Sequence, residues 1–316
     1  MLGMLKYPND FQLAQRLNQL WCKDTATIAV LTYDSGFALR QAYIINKPTT
    51  KRTFSFCIPL RHIFGFCDDY DKVIFGFKHT ITFVKKTDND AIFKLATVAD
   101  AKVNLNEISL FIPHMLPADA ERFKLFNQVA SKTNIPVCYH QRQCDTISVQ
   151  QPTRFSWDVC TRIDTERPRY IIIAFQTIKS GDQNANPSIF DHCDLSNIYI
   201  SLNFESYPAV DYNLSFPNKQ FSRAYRDAAV FNEKFYGMND MITHRNITPS
   251  DYKDLYPIFV FDVSKQSKKL LSGLLQIKVT ATLSTTVSVG IEVFAVTISD
   301  KMLQLQSDGR NFFSVY

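Results

Sequence analysis

The stretch that decides the fold spans residues 216–237 and reads FPNKQFSRAYRDAAVFNEKFYG. Its apolar residues recur at helical spacing at Phe221, Ala224, Ala228, Phe231 and Phe235. Asn218 is a candidate N-cap and Gly237 a candidate stop, so the pattern predicts an amphipathic helix over residues 219–236. Strand-like segments precede and follow this helix, so the sequence places one helix inside a long series of strands.

Eight strand candidates surround this helix. Five precede it and three follow it: 135–149, 153–161, 169–177, 197–203, 207–216, 257–264, 274–283 and 291–299. Eight antiparallel strands in two facing sheets are the number of a jelly roll. The helix would then lie between the fifth and sixth strands, or between the sixth and seventh if 207–216 is split.

The first half repeats this order of elements in a shorter form. Tyr7-Pro8-Asn9-Asp10-Phe11 opens a second amphipathic helix, with Asn9 as its candidate N-cap. The strand candidates after it are 37–45, 53–59, 73–85 and 102–112. No strands precede it, and the resulting sheet would have open edges. We therefore expect an all-β protein with a partial jelly roll at 1–116, a connecting helix at 117–132 and a complete jelly roll at 133–316.

Composition excludes several classes of protein. The chain has 316 residues, of which 46% are hydrophobic, so it is too apolar for a disordered chain. Its longest apolar runs are strand-sized, and its N-terminus lacks the pattern of a signal peptide. We expect an intracellular protein without a membrane span. In it, most of the seven cysteines would be reduced thiols buried in strands.

The candidate metal ligands are poorly arranged. Asp191-His192-Cys193-Asp194 is the densest set, but a structural zinc site typically has two close ligand pairs and no second pair matches. The acidic runs 68–71 and 88–90 lack the glycine and distal glutamate of a calcium loop. Turns are favoured at all three. The spacings of Cys57 with Cys67 and of Cys138 with Cys144 also do not fit a zinc site.

Motifs for catalysis are absent as well. The sequence has no Gly-x-Ser-x-Gly, Walker A or Gly-x-Gly-x-x-Gly motif. Its six histidines are dispersed, which disfavours a cupin-like metal enzyme. We expect no enzymatic activity, no catalytic, cofactor-binding or metal-binding residue, and no cofactor. Basic clusters occur at Lys265, Lys268 and Lys269, at Lys51 and Arg52, and at Lys85 and Lys86. They could contact a nucleic-acid backbone, but solubility is the favoured role because no aromatic residues interleave with them.

Several longer strings resemble the double jelly-roll major capsid proteins of Polinton (Maverick) elements and adintoviruses, a family also present as endogenous copies in animal genomes. The strings are IPLRHIFGFC (58–67), RQCDT (142–146), YPAVDYNLSF (207–216), FSRAYRD (221–227), FDVSKQS (261–267) and ISDKMLQLQSDG (298–309).

This resemblance implies two jelly rolls side by side, each with an inserted helix. It also implies homotrimeric, pseudo-hexagonal capsomers that tile an icosahedral shell, with a minor capsid protein as a further partner and the virion as location. Because the early strands of the first jelly roll are missing, we expect an N-terminally truncated or endogenised copy. The alternative function is a host-captured jelly roll that binds a protein or a glycan.

Overall fold

The computed structural model describes residues 1–32, 34–45, 53–72, 80–132, 134–159, 167–177, 179–238, 246–266, 275–287, 289–307 and 312–315, without the side chains of 12, 13, 16, 17, 307 and 312–315. The described strands are β1 (Ile135–Val149), β2 (Arg154–Val159), β3 (Arg167–Thr177), β4 (Leu195–Leu202), β5 (Glu205–Tyr207), β6 (Ile258–Asp262), β7 (Ile277–Leu283), β8 (Ile291–Ser307) and β9 (Phe312–Val315).

The strands form two antiparallel sheets with the order of a jelly roll. One sheet runs β1-β8-β3-β6, with β9 also paired to β8, and the other runs β2-β7-β4-β5. From β1 to β8, consecutive strands alternate between the sheets except at β4 and β5, which form a hairpin. Such crossing connections between two facing sheets produce the Greek-key wrapping of a jelly roll.

Most of the sequence-based strand predictions in this region are confirmed. Seven of the eight predicted strands overlap observed ones, and the prediction for β1 matches it at both ends. The predicted strand 207–216 is wrong, because only Tyr207 of it belongs to β5. The pairing of β1 with β8 extends over all fifteen β1 residues, which carries β8 beyond the predicted end at residue 299.

The core lies between the sheets and continues under the helices. Ile171 to Phe175 of β3 are fully buried on both faces of the strand. Phe155 of β2 meets Phe175 across the sandwich, with ring centroids 6.2 Å apart. On the opposite face of β3, Tyr170 contacts Phe231 at 5.1 Å. An apolar run without alternation is typical of a strand covered on both sides.

The described helices are α1 (Leu2–Lys6), α2 (Asn9–Gln19), α3 (Ser35–Ile45), α4 (Gly65–Asp69), α5 (Asp88–Ala91), α6 (Asp119–Ala130), α7 (Ser222–Ala229), α8 (Phe231–Tyr236) and α9 (Pro249–Asp254), with a 3-10 turn at Leu60–His62. Helices α7 and α8 divide the predicted helix 219–236 at Val230 and lie between β5 and β6, as predicted. Gly237 ends α8 in the left-handed conformation, at φ 66°. The predicted cap Asn218 lies outside the helix, since Phe221 is the N-cap residue.

The all-β prediction is wrong for the described residues before β1. The predicted strand 37–45 is helix α3, and 53–59, 80–85 and 102–112 contain no strand. Residues 73–79 of the predicted strand 73–85 lie outside the described residues. In α3, the Asp34 carboxylate accepts the backbone N–H groups of Gly36 and Phe37, and this capping overrides the strand propensity of the later residues.

A helix occurs where the sequence predicted a connector, because α6 spans Asp119–Ala130 and begins two residues after Pro117. Proline is favoured near the start of a helix and disfavours one in the residue before it. The domain boundaries at 116 and 132 remain a prediction.

Candidate assembly surface

Three clusters of polar side chains hold the residues before β1 against the jelly roll. In the first, Asp68 of α4 forms an ion pair with Lys6 of α1 at 2.5 Å and a second with Arg142 of β1. Burial alone would raise the pKa of the Asp68 carboxyl, but hydrogen bonds and charge from Lys6 and Arg142 hold that pKa below its usual value. Lys6 also lies over the ring of Tyr236 at 4.5 Å, so this cluster joins α1, α4, α8 and β1.

The same cluster protects β1, an edge strand of its sheet. Asp69 accepts the backbone N–H of His140 at 2.7 Å and contacts the His140 ring nitrogen Nδ1 at 2.9 Å. The other ring nitrogen of His140 lies 3.5 Å from Asp300, which also pairs with Arg169 at 2.6 Å. An unpaired edge strand can recruit other chains, and here a carboxylate occupies part of that edge.

The second cluster surrounds Asp24, a carboxylate with no solvent exposure. Arg40 of α3 pairs with one carboxylate oxygen at 2.5 Å, and Asn186 of the β3–β4 connection donates to the other at 3.0 Å. Tyr256 donates its hydroxyl to the backbone carbonyl of Asp24 at 2.7 Å. A buried charge is tolerated when it is paired and hydrogen-bonded, so this cluster connects α3 firmly to the jelly roll.

Asp34 is also fully buried, and its surroundings change the pKa of its carboxyl. Desolvation raises the pKa of its carboxyl, and the nearby Asp24 charge adds to this, against hydrogen bonds from Phe37 and Thr25. A raised pKa in the folded state means that folding takes up a proton just above the unfolded pKa of about 3.9. The negative charge of Asp34 therefore costs stability at neutral pH and costs nothing below that value.

We predict a pH-dependent effect of Asp34→Asn, which preserves the capping oxygen and cannot ionise. The free energy of unfolding of the variant minus that of the unchanged protein should rise as pH increases above about 4 and then level off. Urea unfolding at a series of pH values measures this difference. A difference that is constant with pH would contradict a raised pKa of Asp34 in the folded protein.

The third cluster centres on Gln183, in the connection between β3 and β4. Its side chain accepts from the backbone N–H of Ala101 at 2.9 Å and donates to the Ala101 carbonyl at 2.9 Å, while its own carbonyl accepts from Lys94 N at 2.9 Å. Asp90 of α5 accepts from the N–H of Gly181 at 2.8 Å. These contacts attach residues 88–101 to the jelly roll.

Beyond the third cluster the chain is exposed. We call residues 105–116 the apolar arm. Its large apolar residues are at least half exposed: Leu105, Ile108, Leu110, Phe111, Ile112, Met115 and Leu116. Phe111 is 86% exposed and Leu116 97%. Helix α6, which follows the arm, exposes Phe123 and Phe126. Exposed apolar patches of this kind mark interaction surfaces.

The candidate metal ligands have structural partners instead. Asp191 accepts from the backbone N–H and hydroxyl of Thr177 at 2.8 and 2.9 Å. The ring of His192 stacks on Phe216 at 4.4 Å and accepts from the N–H of Asp194 at 2.9 Å. Across the described residues, no three His, Cys, Asp or Glu side chains come together as a metal site.

The acidic runs also contact their own chain, which sequence reasoning missed. Asp68, Asp69 and Asp90 belong to the clusters above, and Asp88 accepts from Lys85 at 2.6 Å and from the N–H of Val103 at 3.2 Å. The missed residues Asp24 and Gln183 gave no signal, because each depends on a contact partner distant in sequence, whereas Asp34 offered the local signal of an N-cap before α3.

The cysteines and basic clusters differ in part from expectation. Cys57, Cys138 and Cys144 are exposed thiols, so the prediction that most cysteines are buried is wrong for the described ones. Of the basic residues, Lys85 pairs with Asp88. The structure does not describe Lys51, Arg52, Lys268, Lys269 and Cys160.

Among the helices that the structure describes, none is both long and apolar enough to cross a bilayer.

The sequence comparison establishes the family. The family described as "Double jelly roll-like domain" matches residues 31–303, which is most of the chain. The protein therefore belongs to the double jelly roll-like domain family, in agreement with the sheet order of β1 to β8. No curated protein matches the chain.

Solved structures of viral capsid proteins are among those similar to the chain. The mavirus major capsid protein is 12% identical with a TM-score of 0.32, over 57% of this chain and 41% of that one. PBCV-1 VP54, fitted into the virophage Sputnik, is 8% identical with a TM-score of 0.34, over 63% and 54%. The Sputnik virophage structure is 11% identical with a TM-score of 0.31, over 58% and 39%. The chain thus spans about two fifths to half the length of these proteins.

Proposed function

We propose that this protein is a non-enzymatic structural subunit that self-associates into trimeric, pseudo-hexagonal capsomers of an icosahedral shell. The observation that carries this proposal is the family match over residues 31–303, together with the eight-strand jelly roll formed by β1 to β8. The strings shared with Polinton (Maverick) and adintovirus capsid proteins support that lineage, and the virion as location.

The proposal rests on association by complementary faces around a symmetry axis. A subunit of this kind has to present apolar surface that is covered only in the oligomer. Exposed apolar residues on the arm and on α6 supply such surface. A minor capsid protein would add a further contact in the assembled shell.

The test is the molar mass of the purified protein by light scattering after size exclusion, over a range of micromolar concentrations. A discrete trimer of three 36.3 kDa chains is the expected result. A folded monomer at every concentration would overturn the proposal and favour the alternative, a jelly roll that binds another protein or a glycan.

A further inference from the structure

The apolar arm lacks the internal contacts that the rest of the fold has. Within the described residues, residues 104–117 form neither helix nor strand, and no hydrogen bond joins their backbone N–H groups to another part of the chain. The arm follows Ala101, which is held at the third cluster, and leads into α6. It is therefore a tethered loop whose apolar side chains and backbone groups are both available.

The charge of the arm restricts what it can bind. Between residues 103 and 121 the sequence contains no Lys or Arg, and Glu107 is the single charged residue of the arm itself. Binding to nucleic acid depends on Lys and Arg contacts to phosphate, so nucleic acid does not fit. The buried core of a protein interface, by contrast, is depleted of charge and apolar, and this segment combines a single charged residue with seven large apolar ones.

The accessible area of the chain indicates how much surface remains to be covered. A compact monomer of this mass has an accessible surface of about 13,400 Å². This chain exposes 19499 Å², an excess of about 6,000 Å² over that relation. Obligate interfaces between identical subunits bury about 2,000–5,000 Å² or more in total, and the surface that this chain exposes is large enough for a contact of that size.

We propose that the apolar arm is the segment through which one copy of this chain contacts a second copy, with the arm of one subunit packed on the arm and α6 of its neighbour. This inference rests on the proposed self-association and assigns it to a particular segment. A copy of the same chain fits because it brings two exposed apolar surfaces to the same contact: the arm, and the Phe123 and Phe126 face of α6, where Arg122 lies over the Phe126 ring at 5.7 Å. The unpaired backbone groups of the arm would then pair across the contact, as in strand addition.

The experiment compares two charge substitutions in the full chain. Phe111→Asp places a carboxylate in the arm, and Phe204→Asp places one at the β4–β5 turn, where Phe204 is fully exposed. Both side chains are outside the core, so both variants should fold, and thermal unfolding checks this. We expect Phe111→Asp to weaken self-association about 10-fold or more, and Phe204→Asp to leave it unchanged.

Hydrogen exchange provides a second measurement on the unchanged protein. The amides of 104–117 should exchange quickly at the lowest concentration and become protected on association. The assignment of the contact to the arm would be overturned if Phe111→Asp associates like the unchanged protein, if both variants lose association equally, or if the arm gains no protection. None of these results would contradict self-association of the unchanged protein. A protein that stays monomeric would overturn the proposed function itself, and the arm assignment with it.

Discussion

Asp68→Ala is expected to lower the free energy of unfolding by about 3–5 kcal/mol, the usual cost of removing one partner from a buried ion pair. The side chains of Lys6 and Arg142 are 16% and 8% exposed, so both cations would stay largely desolvated without their counter-charge. The effect should depend on pH. Since the folded pKa of Asp68 is lowered, its contribution is present above the unfolded pKa of about 3.9 and is lost as pH falls below it.

The matched control is Glu121→Ala, which removes the carboxylate of an ion pair in α6. Glu121 and its partner Lys124 are 59% and 70% exposed at 2.6 Å separation, so this change should cost less than about 1 kcal/mol. Urea unfolding at pH 7 and pH 3 compares the two variants. Equal losses at pH 7 would show that the Asp68 cluster does not hold the N-terminal residues to the jelly roll.

The jelly roll was largely predictable because its signals are local. Alternation at Ile198, Ile200 and Leu202 predicts β4, and these side chains are fully buried in the structure. The uninterrupted apolar run from Ile171 to Phe175 also predicts a strand that is covered on both faces, and in the structure helices cover the second face of β3. Gly237 marks the end of α8 because a left-handed residue is needed there.

The region before β1 was not predictable in the same way. The sequence 37–45 has the β-branched and aromatic residues of a strand, yet α3 begins there because Asp34 caps it and Arg40 reaches Asp24. The Asp34 cap is a local signal but does not by itself decide between helix and strand, and the contact of Asp24 with Asn186 joins segments distant in sequence. The acidic runs show the same limit. Their spacing disfavoured a calcium loop, but only the fold shows that Asp69 occupies the edge of β1 and Asp90 contacts the β3–β4 connection.

Ion pairs between distant segments therefore determine the placement of the N-terminal residues, and packing determines the jelly roll. A surface pair contributes little to stability, but a desolvated pair is costly to break. The three clusters thus help to position the N-terminal segments, and α1 also packs into the main core through Met4 and Leu5. The apolar arm lies beyond the last of them, where no such contact remains, which is why its surface is available.

Gly65→Ala is expected to detach α4 from β1. A Cβ atom at this position would lie 1.8 Å from the carbonyl oxygen of His140 and 3.0 Å from its carbonyl carbon, and these are backbone atoms of a paired strand that cannot move aside. Helix α4 would have to shift, and it would take Asp68 and Asp69 with it. Because both carboxylates move away together, the free energy of unfolding should fall by at least the roughly 3–5 kcal/mol expected for Asp68→Ala.

Gly3→Ala is the matched control, since a Cβ there meets the Trp21 ring at an ordinary 3.6 Å. Alanine is also the better helix former by about 1 kcal/mol, so this change in α1 should be neutral or stabilising. Hydrogen exchange at His140 gives a local measurement, because its N–H donates to Asp69 and should lose protection only in Gly65→Ala. Full protection at His140 in that variant would mean that α4 and Asp69 can rest against β1 without the close approach that glycine permits, and it would contradict this prediction.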